Sequence, residues 1–286
     1  MQMIRYSRNF KHNASSATAT PGAFLSLEDV RRAAPAIFAE SAHESRSRRY
    51  GFVPTEKMIG GLMAEGFQPV SVTQANSRTE GKETAAKHLI RLRHVSSKQV
   101  DGVFPEVVLL NSHDGSCAYK IMAGLFRMVC ANGLIAGEMW GNLTVPHKSG
   151  AIHQVIEGSY EIVEKSPALL DSVEEMKATQ LSTEERHIFS RAALALRYED
   201  QENAPITAHQ IDEERRLADS GRDLWSTLNR AQENLIRGGL RGETRDENGK
   251  RRRTTTREIR GIDQTVQINR GLWVLAEEMR RLKTAA

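Results

Sequence analysis

The sequence predicts an α+β protein in which a mostly antiparallel sheet domain with covering helices is followed by a helical C-terminal domain. Two observations lead there. Between residues 67 and 146, short apolar segments of strand length are separated by Asn, Asp, Gly and Ser turns, whereas from residue 151 apolar positions recur at helical spacing. A third, the Gly51-Phe-Val-Pro54 entry into the first helical pattern, fixes the limits. They are an N-terminal arm and short helix over 1–50, an α+β sheet domain over 51–150, and a helical domain over 151–286 that carries a basic loop at 237–260.

Along the chain, the first 25 residues are rich in Ser, Thr, Ala and Asn and read as a loose arm or a peripheral strand. Ser26 suits the N-cap of a short helix carrying Leu27, Val30 and Ala34, which Pro35 interrupts. SRSRRY at 45–50 is a small basic cluster. Met58, Ile59, Leu62 and Met63 give the next helix one apolar face, and Gly66 stops it. FQPVSVTQ and KHLIRLRHV follow as strands. In the second, strict alternation puts His88, Ile90, Leu92 and His94 on one side and Leu89, Arg91, Arg93 and Val95 on the other, so one sheet face is expected to carry two arginines.

EVVLLNSHDGSCAYKIMAG reads as two strands joined by a turn at His-Asp-Gly, because Asn, Asp and Gly tolerate positive φ and Asp and Ser bond to nearby backbone. LFRMVC extends the strand or begins a helix, ANGL is a second turn, and EMWGNLTVP is another strand, giving about four or five strands in all. Ile152, Val155, Ile156, Tyr160 and Val163 then form a helical stripe that resumes after Pro167. Ser182 with Glu185 and Thr207 with Gln210 fit capping boxes, and Ser220 suits the cap of a helix carrying Leu224, Leu228, Ala231 and Leu235. Gly238-Gly239 ends that helix, and a last one runs from about Gly261 to Lys283.

Composition narrows the function classes. The chain has 286 residues, 39% apolar and 27% charged, as ordinary soluble proteins do. It has no apolar run near the roughly 18 residues of a membrane span, and MQMIRYSRNFKHNASS lacks an apolar signal core. A cytoplasmic protein without a membrane partner is expected. Cys117 and Cys130 are expected to be reduced and buried, and no zinc-type spacing of Cys and His occurs. No cofactor or metal is expected, since glycine-rich phosphate-loop, dinucleotide and His-Glu-x-x-His patterns are all missing.

His113 and Asp114 are the residues that look catalytic, yet a His-Asp dyad of phosphohydrolase type sits on a helix among other histidines, whereas this one precedes Gly115 between strands. A structural turn is the expected role, and a hydrolase centred on the pair is kept as a lesser alternative. Cys117 lies too close to His113 along extended chain to be a built nucleophile–base pair.

Charge gives the clearest functional signal. Residues 151–236 hold 9 Lys and Arg against 17 Asp and Glu, while 237–260 hold 9 against 4. Arg241, Arg245, Lys250, Arg251, Arg252, Arg253 and Arg257 cluster there, with Thr254–Thr256 able to form a short strand. Permanently charged, five-donor guanidinium groups suit phosphate oxygens, and each neutralised phosphate releases counterions. The competing role is pairing with the acidic helices. Arg91 and Arg93, with Lys120 and Arg127 and the rings of Tyr119 and Phe126, would extend a basic surface onto the sheet, although core is the plainer role for both rings.

NSHDGSCAYKIMAGLFRMVCANGL at 111–134, NRAQENLIRGG at 229–239 and RGIDQTVQINRGLWVLAEEM at 260–279 resemble the phage- and plasmid-like family known as domain of unknown function 932. The resemblance implies a phage, prophage or plasmid origin and brings no functional residues. The expected function is therefore a non-enzymatic nucleic-acid-binding protein, with DNA as the partner and single-strand binding or annealing, as a homo-oligomer, its most concrete form. The alternative is an interaction protein that inhibits a host defence or replication factor through the acidic helices.

Overall fold

In the computed structural model, residues 4–8, 14–20, 22–46, 51–75, 83–128, 132–148, 150–245 and 249–285 are described. Cys130, most of SRSRRY and residues 246–248 lie outside them. The fold is α+β with a helical C-terminal part, and the chain divides into two compact units, Met1–Leu169 with Arg260–Ile262 and Leu170–Ile259 with Asp263–Ala286. The division thus falls near residue 169, inside a helix, and the N-terminal segment is integral to the first unit.

The first unit is an eight-stranded antiparallel meander of β1 (Ile4–Arg8), β2 (Ala14–Ala19), β3 (Phe67–Ala75), β4 (His88–His94), β5 (Val103–Asn111), β6 (Tyr119–Arg127), β7 (Asn132–Ile135) and β8 (Asn142–Val145). Strands β1 to β7 follow in chain order across the sheet, and β8 pairs with the first half of β6 beside β7 on the second half. Three or four strands more are present than the turn spacing suggests. Two come from the Ser- and Ala-rich beginning, where Ala17 and Ala19 of β2 are buried without any larger apolar side chain.

Helix α1 (Leu27–Ala33) starts at Ser26, whose hydroxyl accepts from Asp29 N while the Asp29 carboxylate accepts from Ser26 N, a reciprocal cap. Helix α2 (Thr55–Ala64) buries Met58, Ile59 and Leu62, and Gly66 follows at φ 90°, where a side chain is strained. Helix α3 (Ala151–Ala178) runs unbroken through Pro167. The proline cannot donate to the Val163 carbonyl four residues back, and the Ser166 hydroxyl does so instead at 2.7 Å.

The second unit holds α4 (Thr183–Ala195), α5 (Ala208–Ile211), α6 (Leu224–Arg237), α7 (Ile262–Ala285) and a two-stranded ribbon, β9 (Arg241–Arg245) with β10 (Arg251–Thr255). The capping boxes at Ser182–Glu185 and Thr207–Gln210 are both formed. Ser220 does not cap α6; Asp223 does, accepting from Ser226 N at 2.8 Å, because the chain makes a 3-10 turn at Leu217–Asp219 first. Helix α6 is buried on nearly every side, and many of its polar side chains are paired. Arg230 bonds Asp212 and the carbonyls of Asp219 and Gly221, and Glu233 receives both Arg216 and Arg237. Trp225 and Trp273, one on α6 and one on α7, are both buried.

Candidate functional site

The turn at His113 is built around one hydroxyl. Thr55, the first residue of α2, is buried, with its Oγ1 3.1 Å from His88 Nε2, 3.1 Å from His113 Nε2, 3.0 Å from Asn111 Nδ2 and 3.0 Å from Tyr119 OH. The proton positions follow from the outer partners. His88 Nδ1 donates to the Ala86 carbonyl, so its Nε2 is the acceptor of the Thr55 proton, and Tyr119 donates to the Val53 carbonyl. Asn111 then donates to Thr55, and His113 Nε2–H fills the second lone pair. His113 Nδ1 and Asn111 Oδ1 are buried without a hydrogen-bond partner among the described residues.

His113 itself has no exposed surface. Asp114 turns the other way, its carboxylate accepting from Ser116 N at 2.9 Å, and Ser112 closes the loop by accepting from Cys117 N at 2.9 Å. Gly115 at φ 75° completes the turn. The arrangement joins α2 to the sheet through one shared hydroxyl, and it leaves neither the His88 nor the His113 ring open to solvent. No group of three or more His, Cys, Asp or Glu among the described residues is placed to hold a metal ion.

Burial pushes the His88 imidazole down to about 4 and that of His113 down to about 3, the second reinforced by His88 and His147 nearby; burial lowers His147 as well. Both histidines at the joint are neutral in the folded protein. In the unfolded chain they titrate near 6.5, so below that pH the unfolded state takes up protons that the folded state refuses. Stability is therefore fullest above about pH 6.5, and each of the two groups removes about 1.4 kcal/mol per pH unit between there and roughly pH 4. Urea denaturation at pH 7.5, 6.0 and 5.0 should show this decline; the same midpoint at all three would refute neutral burial of the pair.

The exposure expected of Arg91 and Arg93 is what the structure corrects. Arg91 and Arg93 do lie on one side of β4, but that side is covered, and both are buried, at 8% and 7% exposure. Their partner is Glu106 of β5, whose carboxylate, fully buried, meets Arg91 Nε and Arg93 Nη2 at 2.7 Å each. Arg91 also donates to the carbonyls of Leu125 and Leu134, and it fits because a Cβ on Gly124 or Gly133 would stand 2.8 or 2.3 Å from its guanidinium. The Arg93 guanidinium lies 3.8 Å above the Phe104 ring. Neither guanidinium is presented to solvent. Tyr119, Phe126 and Arg127 are buried as well, and only Lys120 of that group is exposed.

The 237–260 segment is different. Its base is fixed: Gly239 N donates to the Thr256 carbonyl at 2.7 Å, Thr256 N to the Leu240 carbonyl at 2.8 Å, and Leu240 N to the Thr256 hydroxyl at 3.0 Å. Gly238, at φ 64° and with a would-be Cβ 2.6 Å from the Arg257 backbone, allows this crossing. Glu243 N bonds the Pro205 carbonyl, and Gln210 Nε2 bonds the Arg241 carbonyl, which together moor β9.

Register then sorts the side chains. Arg251 lies opposite Arg245, Arg253 opposite Glu243, and Thr255 opposite Arg241, so these six share one face. Gly242, Thr244 and Thr254, on the other face, are half-buried, and a Cβ on Gly242 would collide with Pro205. Among the described residues, the outward face thus presents Arg241, Arg245, Arg251 and Arg253, all exposed, with Glu243. Arg252 projects from the opposite face, and Lys250 and Arg257, also exposed, flank the ribbon. Glu243 is 3.5 Å from Arg251. Among the described residues, Arg241, Arg245, Arg253 and Arg257 have no ion pair.

Four acids of the 151–236 block are held in ion pairs, one of them with Arg237 at the start of the basic segment. Asp212 receives Arg186 and Arg230, Glu233 receives Arg216 and Arg237, Glu175 receives Arg280, and Glu185 receives Lys283. No helix among the described residues is long and apolar enough to cross a membrane.

The comparisons with known proteins agree with the resemblance in the motifs. The chain is 43% identical over 262 residues to the UPF0380 protein YafZ of Escherichia coli (strain K12), covering 89% of this chain and 91% of that protein. It is 42% identical over 258 residues to the UPF0380 protein YfjQ of the same organism, with 89% and 91% covered. No solved structure matches. The family model of the domain of unknown function (DUF932) matches residues 42–273, which takes in the Thr55–His113 joint, the Glu106 triad and the arginine ribbon together. The chain belongs to the DUF932 family.

Proposed function

We propose that this is a non-enzymatic nucleic-acid-binding protein, of a kind carried by phages, prophages or plasmids, that grips its ligand with the β9–β10 ribbon. The observation that carries this reading is the outward ribbon face, where, among the described residues, four exposed arginines share a surface with one carboxylate. Arg245 and Arg251 stand directly opposite each other, an arrangement of like charges that destabilises a strand pair unless an anion lies across it. Phosphate oxygens would relieve that repulsion and accept bidentate hydrogen bonds from the guanidinium groups. Lys250 and Arg257 extend the cationic track at its two ends.

The competing reading, an acidic decoy aimed at a host protein, has less support. The carboxylates of Asp212, Glu233, Glu175 and Glu185 are matched by cations of their own unit, which leaves less uncompensated negative charge to imitate a nucleic acid. The test of the preferred reading is the variant Arg251→Ala/Arg252→Ala/Arg253→Ala. These side chains are exposed, so folding should survive. Oligonucleotide affinity, read by fluorescence anisotropy, should fall by at least about a hundredfold if charge-assisted phosphate bonds are lost. Affinity equal to the parent's sinks the reading.

A further inference from the structure

The ribbon's form also bears on which nucleic acid it takes. Resting on the nucleic-acid reading above, we infer that the β9–β10 ribbon is a reader of B-form duplex DNA that enters the major groove with its Arg241, Arg245, Arg251 and Arg253 face.

Three observations carry this. The first is shape: a two-stranded antiparallel ribbon, moored at its base and along β9 by Pro205 and Gln210, is one of the two elements that the major groove of B-DNA, about 12 Å wide, admits. The second is spacing. Same-face residues two apart along a strand are about 6.7 Å apart, roughly two base-pair rises of 3.4 Å, so Arg251 and Arg253 can address positions two base pairs apart while Arg245 sits across the ribbon from Arg251. Arginine forks bond guanine O6 and N7 as readily as phosphate oxygens, and Glu243 among them is of the type that accepts from cytosine N4. The third is what the segment lacks. No aromatic residue or histidine occurs between Arg237 and Arg260, so the ribbon offers no ring on which an unpaired base could stack, which is how single strands are held.

Groove geometry also separates DNA from RNA. An A-form RNA duplex has a major groove too deep and narrow for side chains to read, although its phosphate charge is similar. Simple attraction to polyanion would treat the two duplexes alike, and a ribbon seated in the groove would not. The two faces of β10 supply an internal control. Arg252 and Arg253 are neighbours of equal charge and are both exposed, but they point to opposite faces of the ribbon.

The experiment titrates the full chain into three fluorescent probes of one sequence and length: a DNA duplex, its single strand, and the corresponding RNA duplex. The DNA duplex is expected to bind at least about tenfold more tightly than either other probe, the equivalent of one bidentate base contact. Arg253→Ala should weaken duplex binding by about tenfold, and Arg252→Ala by clearly less. Equal or tighter binding of the single strand or the RNA duplex overturns the inference, as does an equal loss from the two variants. Binding to all three with the same affinity leaves nucleic-acid binding standing and removes only the groove; binding to none removes both.

Discussion

Replacing Glu106 by alanine should destabilise the sheet unit by about 3–5 kcal/mol, because it leaves Arg91 and Arg93 buried with no countercharge. Attraction within such a triad is largely offset by the cost of stripping three charges of water, so the triad as a whole need not be strongly stabilising. Losing one member is another matter. The contrast is testable: Arg91→Met/Arg93→Leu/Glu106→Leu, which removes all three charges, should cost far less than Glu106→Ala alone. Urea denaturation of both variants decides it. A single variant as stable as the parent would mean that the arginines escape to solvent, which would return them to the candidate interface.

Thr55→Val is the second large effect. Valine keeps the shape of threonine and removes the oxygen on which His88, Asn111 and His113 converge, so three buried polar groups lose a partner at once. At about 1–3 kcal/mol for each unsatisfied group, the loss should reach at least about 3 kcal/mol. Thr55→Ser keeps the hydroxyl, gives up one methyl, and should cost about 1 kcal/mol. If the valine variant is no less stable than the serine variant, the shared hydroxyl is not what holds α2 to the sheet. The result also bears on His113, whose role in this account is to donate to that oxygen.

The sequence made legible whatever depends on neighbours in the chain. The caps at Ser26, Ser182 and Thr207 are four-residue patterns and formed where they were expected. The stop at Gly66 and the turn at Gly115 rest on positive φ. At Ser220 the same reasoning chose a residue three positions early, since Ser and Asp cap equally well and only the intervening 3-10 turn distinguishes them.

What stayed hidden depends on other strands. Alternation in KHLIRLRHV correctly put Arg91 and Arg93 on one side, but whether that side faces water is set by Glu106 on β5 and by the room at Gly124 and Gly133. A glutamate beginning the apolar run EVVLLN was the available signal, since a buried acid calls for a buried base. β2 is faint in the sequence for a different reason, and the beginning of the chain reads only as a loose arm or a peripheral strand. Alanine, serine and threonine bury little apolar surface, so their alternation carries almost no hydrophobic contrast even though β2 pairs along its length. The ribbon was visible as charge; its two faces required the register.

The measurement that bears most directly on the central claim is the salt dependence of duplex DNA binding by the parent chain and by Arg251→Ala/Arg252→Ala/Arg253→Ala. If the ribbon neutralises phosphates, log affinity falls linearly with log salt concentration, with a slope of about −0.9 for each phosphate contacted. The variant's slope should be shallower by about 1 for each arginine that made a contact, up to about 3. Parent and variant lines of the same slope and position would contradict the account.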